Sequence, residues 1–153
     1  MNAEIRIYKA DRRLDYIVDG NIEKTFRIGL GFTPAGGKSR EGDGRTPEGS
    51  YYICTKNPKS KFTLFLGISY PNGEDAQRGF ERGIISQEEL NRIKAAIGER
   101  KRPDWDTQLG GQIGIHGKGN AFDWTAGCIA LNDEDILYLW DRVAIGDTVL
   151  IYA

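Results

Sequence analysis

The sequence predicts a single mainly-β domain with inserted helices, an α+β arrangement spanning residues 1–153. Three features carry that reading. Short apolar–polar alternations fill the first third, a glycine-rich loop separates them from further strand-like runs, and two capped helical patterns interrupt the second half. A chain of 153 residues suits one domain with a sizeable core.

The elements follow in order. Ile5 and Ile7 alternate with polar neighbours, as in a half-buried strand. Leu14 to Val18 forms the next strand, Asp19-Gly20-Asn21 supplies a hairpin turn, and Ile22 to Leu30 returns. A glycine-rich loop covers residues 31–49. Strands near Tyr51 to Cys54 and Phe62 to Ile68 come next. A helical insert covers residues 75–98. In its second half, Ser86 and Glu89 make a capping box, Ile85 and Leu90 a hydrophobic staple, and Gly98 a stop. The short strand Ile113 to Ile115 ends at His116. Asn132 caps a second helix reaching about Val143, with Leu131 and Ile136 as its staple, and Thr148 to Tyr152 closes the chain.

Composition excludes several classes. The formal net charge is -1, which gives no overall pull toward nucleic acid or an anionic membrane. The basic clusters Arg12-Arg13, Lys56 to Lys61 and Arg100-Lys101-Arg102 read as solvated surface charge. No apolar run approaches the ~20 residues of a membrane helix. No secretory signal stands at the start, which leaves a cytosolic protein and a removed signal both open. Gly37-Lys38-Ser39 ends like a phosphate-binding loop, but the glycine that motif needs is replaced by Phe32, so no nucleotide site is expected.

The chemistry concentrates in two residues. The chain has one histidine, which excludes a multi-histidine metal centre, and no metal or other cofactor is expected. His116 closes a strand in Ile113-Gly114-Ile115-His116-Gly117. Cys128 stands in Thr125-Ala126-Gly127-Cys128-Ile129-Ala130-Leu131. Glycine before the cysteine leaves room for a carbonyl to approach, and backbone N–H groups at such a turn can face an oxyanion. A cysteine–histidine pair suits acyl transfer: an imidazolium stabilises the thiolate, and the imidazole moves the protons. A backbone carbonyl is left as the open choice for orienting the ring. The competing account is a buried thiol and a hydrogen-bonded histidine without chemistry. Cys54, in an apolar run, reads as a small buried hydrophobe, and a Cys54–Cys128 bridge would disable the mechanism. Trp124 and Arg45 are candidate substrate contacts that read equally well as a rim aromatic and a surface charge.

Ile115-His116-Gly117, a loop, and then Thr125-x-Gly127-Cys128-Ile129-x-Leu131 resembles the signature of the L,D-transpeptidase catalytic domain family. Gly44-Arg45-Thr46-Pro47-Glu48-Gly49 is similar to the family's Thr-Pro-x-Gly segment, Leu66 to Asn72 to a further segment of one branch, and Gly146-Asp147-Thr148-Val149 to its close. The resemblance implies a β-sandwich-like fold with the site at the end of a cleft and an acyl-enzyme on Cys128. It implies His116 as base and acid, ring orientation by the Gly117 carbonyl, and an oxyanion site around Gly127 and Cys128. Thr125 joins Trp124 and Arg45 as a candidate substrate contact. The implied partners are peptidoglycan stem peptides and a wall-attached lipoprotein, in the periplasm or cell envelope, with carbapenem susceptibility. Ala126 and Ala130 stand where many relatives have histidine and arginine, so substrate binding departs from the common type. A hydrolase of the same chemistry (an L,D-carboxypeptidase, or an amidase releasing wall-attached protein) and a non-catalytic peptidoglycan-binding module are the alternatives.

Overall fold

The computed structural model describes residues 2–153. Eight strands, β1 (Ala3–Tyr8), β2 (Arg13–Val18), β3 (Asn21–Arg27), β4 (Gly49–Asn57), β5 (Phe65–Ile68), β6 (Gly114–His116), β7 (Ile129–Ala130) and β8 (Thr148–Tyr152), form one sheet in the order β3-β2-β1-β8-β4-β5-β6-β7. Pairs β1–β8 and β6–β7 are parallel and the others antiparallel. This mainly-β fold with inserted helices is the expected class.

The sheet curls until its two ends meet. Gly29, just beyond β3, exchanges two backbone hydrogen bonds of 2.9 Å with Ala130 in β7. A second bridge joins Gly31 to Thr125. The curl supplies two facing walls, and inward residues from both make one core, including Ile5, Ile7, Leu14, Phe26, Ile53, Leu66, Ile115, Val149 and Ile151. Each such side chain contributes roughly 1.5–3 kcal/mol on burial. The strand pattern expected to reach Leu30 ends at Arg27, because residues beyond it leave β2 to build this seam.

Three helices decorate the sheet: α1 (Gly73–Glu81), α2 (Gln87–Gly98) and α3 (Asp133–Trp140). The Ser86–Glu89 capping box is present, and the staple residues Ile85 and Leu90 are buried together with Ala76, Ile93 and Leu109 in a second small core. The helical insert begins earlier than residue 75, because Asn72 and Asp75 form another capping box. Asp75 is buried and accepts from the Tyr51 hydroxyl of β4 at 2.8 Å, which ties the insert to the sheet. Asn132 occupies the N-cap position of α3, yet its side chain makes no cap hydrogen bond. The acidic first turn, Asp133, Glu134 and Asp135, meets the positive end of that helix instead. Ile136 and Leu139 carry α3 into the main core. No helix among the described residues is long and apolar enough to cross a membrane.

Candidate active site

The site forms where the sheet closes. His116 ends β6, Cys128 immediately precedes β7, and the two strands run side by side, with His116 paired to Ala130. Both residues line one cleft of about 280 Å³, together with Lys38, Glu41, Phe62, Gln112, Trp124 and Thr125. A residue pair twelve positions apart in sequence is thus brought to one cavity by parallel pairing of β6 and β7.

The imidazole is held on several sides. Its Nδ1 lies 2.8 Å from the Gly117 carbonyl, so the Nδ1–H donates there and Nε2 is left as the free acceptor. One ring face stacks on Phe62 at a centroid distance of 4.5 Å and 22°, and Trp124 stands 5.5 Å away. The Trp124 indole N–H donates to the Gly119 carbonyl at 3.0 Å, which fixes the rim aromatic. Space at Gly117 is tight: a Cβ there would sit 2.5 Å from Asp133 Oδ1 and 3.0 Å from the Phe62 carbonyl oxygen. That carboxylate oxygen accepts from the Thr63 hydroxyl at 2.7 Å and the Lys118 N–H at 2.9 Å. Asp133 therefore locks the loops on both sides of the histidine.

The turn that carries Cys128 is built by Thr125. Its hydroxyl accepts from the Gly127 N–H at 3.1 Å and donates to the Cys128 carbonyl at 2.7 Å. Thr125 is buried, and its hydroxyl hydrogen and one lone pair are engaged by the turn. The Gly127 N–H is likewise engaged. The Cys128 N–H has no partner among the described residues and remains the donor open to an oxyanion. Gly127 adopts φ +142, and a Cβ there would lie 2.8 Å from the Arg45 carbonyl, so glycine is required on both counts.

Arg45 contributes that carbonyl rather than its guanidinium. Its side chain runs beside the Gly36 turn and lines neither of the clefts at Cys128. Ala130 is fully buried in the seam and Ala126 is at the cleft. Lys38, from the segment that only resembled a nucleotide loop, is a cleft residue the sequence reading did not select. Its ammonium is buried, pairs with Asp43 at 2.9 Å and donates to the Arg40 carbonyl at 3.1 Å. Asp43 also accepts from the N–H groups of Ser39, Arg40 and Arg45, which folds the glycine-rich loop into a wall of the cleft. Gln112 was missed as well: its carbonyl lies 3.4 Å from Cys128 Sγ, a contact no local motif announces.

Burial shifts both titrating groups toward neutrality. It pushes the Cys128 thiol up to about 11, against the opposing pull of the Gly114 N–H and the Lys38 charge. It lowers His116, against the hydrogen bond to Gly117. Both shifts act against the thiolate–imidazolium pair expected from sequence. The full burial of His116 and the partial burial of Cys128 disfavour their charged forms. Cys54 is a free thiol pushed up to about 12 by burial, and no Cys54–Cys128 bridge exists. Among the described residues, no three His, Cys, Asp or Glu side chains converge as a metal-ligand set.

The family model described as the L,D-transpeptidase catalytic domain, YkuD, matches residues 2–151. Among solved structures, the helical cell shape determining protein Pgp2 from Campylobacter jejuni is similar at 26% identity and a TM-score of 0.66, covering 98% of this chain and 47% of that one. Bd1075 from Bdellovibrio bacteriovorus shares the fold at 20% identity and a TM-score of 0.61, covering 99% of this chain and 48% of its own. An L,D-transpeptidase from Xylanimonas cellulosilytica shares it at 19% identity and a TM-score of 0.54, covering 99% and 60%. The chain thus spans about half to three-fifths of the length of these structures. No curated protein matches it. With a family model covering nearly every residue and the histidine and cysteine segments of that family meeting in one cleft, the chain belongs to the YkuD family of L,D-transpeptidase catalytic domains.

Proposed function

We propose that this domain is a cysteine-dependent L,D-transpeptidase that acts on peptidoglycan stem peptides in the cell envelope, through an acyl-enzyme on Cys128. The observation that carries the reading is the shared cleft of Cys128 and His116, with Nε2 of the ring free and the Cys128 N–H unpaired.

The reaction follows from those groups. His116 Nε2 takes the Sγ proton as sulfur attacks the carbonyl at the L-centre of the third stem residue. The tetrahedral oxyanion meets the Cys128 N–H, a donor fixed before the reaction starts. The imidazolium then gives its proton to the departing amine of the terminal D-amino acid, and the thioester remains. An acceptor amine next loses a proton to Nε2, attacks the thioester and forms a new amide, and the proton returns to sulfur. Starting from a neutral pair suits this cycle, because charge appears on the ring only while the oxyanion exists. A neighbouring stem peptide or a lipoprotein lysine supplies an amine of the required kind.

The test is incubation of purified peptidoglycan and its tetrapeptide fragments with the protein, beside Cys128→Ala, followed by mass spectrometry. Cysteine-dependent 3–3 dimers are expected. Cysteine-dependent tripeptides without dimers would assign water as acceptor and make the domain a hydrolase. Identical products from the two proteins would refute the acyl-enzyme reading.

A further inference from the structure

The second opening beside Cys128 has a charge character the first lacks. It is a cleft of about 670 Å³ that shares Phe62, Gln112 and Cys128 with the first. Its walls carry Lys59, Lys61 and Arg102 and no acidic side chain. Two basic clusters that read in sequence as unrelated surface charge are thus brought to one groove that ends at the nucleophile. None of the three cations forms an ion pair within the described residues. The protein as a whole carries a formal charge of -1, so this local excess is not a by-product of a basic chain. A third opening, which shares Trp105 and Gln112 with this groove, is lined by Glu41 and Asp106 with no cation.

Arg102 is also prepared for recognition. Its guanidinium lies over the Trp105 ring, 4.8 Å from the centroid. Trp105 is in turn set edge-on to Phe65 at 6.4 Å, and any side chain at Gly111 would overlap the indole. A guanidinium resting on a fixed ring loses little freedom when it binds a carboxylate with two parallel hydrogen bonds.

We propose that this basic groove holds the acyl donor by the free carboxylates of its peptide, with Arg102 as the principal contact and Lys59 and Lys61 adding long-range attraction. The proposal rests on the acyl-transfer reading and supplies its direction: the donor enters through the basic groove, while the Glu41–Asp106 side repels an anionic peptide and leaves that approach to an ammonium-bearing acceptor. Attraction of this kind weakens as salt screens it.

The experiment is binding by calorimetry to the Cys128→Ala protein, which uncouples affinity from turnover. The probes are the stem tetrapeptide with free carboxylates and its fully carboxamidated form. The free-carboxylate peptide is expected to bind at least about tenfold tighter at low salt and to lose most of that advantage between 50 and 300 mM salt, as screening predicts. Adding Arg102→Gln, Lys59→Gln and Lys61→Gln should abolish the preference. All three side chains are exposed, so the fold is retained. Equal affinity for the two peptides, or a preference that survives the triple substitution, would overturn the proposal. Turnover by the unsubstituted protein is followed in parallel. Cysteine-dependent turnover without charge preference sinks the groove alone, whereas charge-selective binding without cysteine-dependent turnover sinks the acyl-transfer reading.

Discussion

Thr125 and Cys128 are joined by a hydrogen bond of 2.7 Å from the threonine hydroxyl to the cysteine carbonyl, and the same oxygen accepts the Gly127 N–H at 3.1 Å. The Cys128 backbone is therefore held by a side chain three residues earlier. Thr125→Val keeps the shape and removes both bonds, leaving a buried N–H and a carbonyl without a partner. The expected cost is about 1–3 kcal/mol of stability, with turnover reduced at least tenfold as the cleft loses its geometry. Thr125→Ser should stay near the parent in both. Urea unfolding and steady-state kinetics read the pair, and a fully active valine variant would remove Thr125 from the site's construction.

The resting thiol should be sluggish. With the Cys128 group pushed up to about 11, thiolate is scarce at pH 8. Alkylation by iodoacetamide should be about a hundredfold slower than at a free cysteine of pKa near 9, rising through pH 10 and above. Peptide mapping separates it from Cys54, which should react more slowly still because its thiol is pushed up to about 12. Modification at pH 7.5 as fast as free cysteine would mean an ion pair already exists in the open cleft.

His116 should make stability depend on pH in a defined direction. Its folded pKa is lowered by burial, below the unfolded value near 6.5. Between the two values the unfolded chain binds more protons, so stability falls as pH drops from about 6.5 through the folded pKa, and is unaffected above that range. The chain has one histidine, so a His116→Gln variant removes the whole effect. Urea midpoints at pH 7.5 and 5.5 should differ more in the parent than in the variant; parallel behaviour of the two proteins would contradict a buried neutral imidazole.

Gly127→Ala should fail for two separable reasons. The residue would have to adopt φ +142, and its methyl would meet the Arg45 carbonyl at 2.8 Å and Ile113 Cδ1 at 2.9 Å. A loss of roughly 2–4 kcal/mol is expected, from backbone strain plus overlap. Thermal melting measures the loss, and thiol accessibility in the surviving folded fraction reports whether the turn has moved. A variant as stable as the parent would show that the turn can relax.

Removing the carboxylate that braces the histidine loops should act on rate more than on fold. Asp133 is exposed, but its Oδ1 joins Thr63 to the Lys118 N–H around Gly117. Asp133→Ala should lower turnover several-fold with a stability change of about 1 kcal/mol or less. A readout specific to positioning is the pH–rate profile, whose basic limb should shift if the ring gains freedom; an unchanged profile with lower stability would make the contact merely structural.

What was legible in the sequence was whatever depends on neighbours along the chain. Alternation marked the strands. Ser86 with Glu89 and Ile85 with Leu90 marked α2, because a cap and a staple are closed within a few residues. The family signature pointed to Cys128 and His116. Tertiary structure decided the rest. Lys38 and Gln112 reach the cleft only because the glycine-rich loop folds on Asp43 and the sheet curls shut between Gly29 and Ala130. Nor does spacing along the chain reveal how Thr125 and Arg45 are placed. One spends its hydroxyl on the turn, and the other offers a backbone oxygen behind Gly127. The titration of the pair is a tertiary matter as well, since a sequence contains no dielectric: residue identity supplies a thiol and an imidazole, and burial in the closed sheet shifts both toward their neutral forms. Local order is written in spacing, whereas the electrostatics of a site belong to the walls that folding places around it.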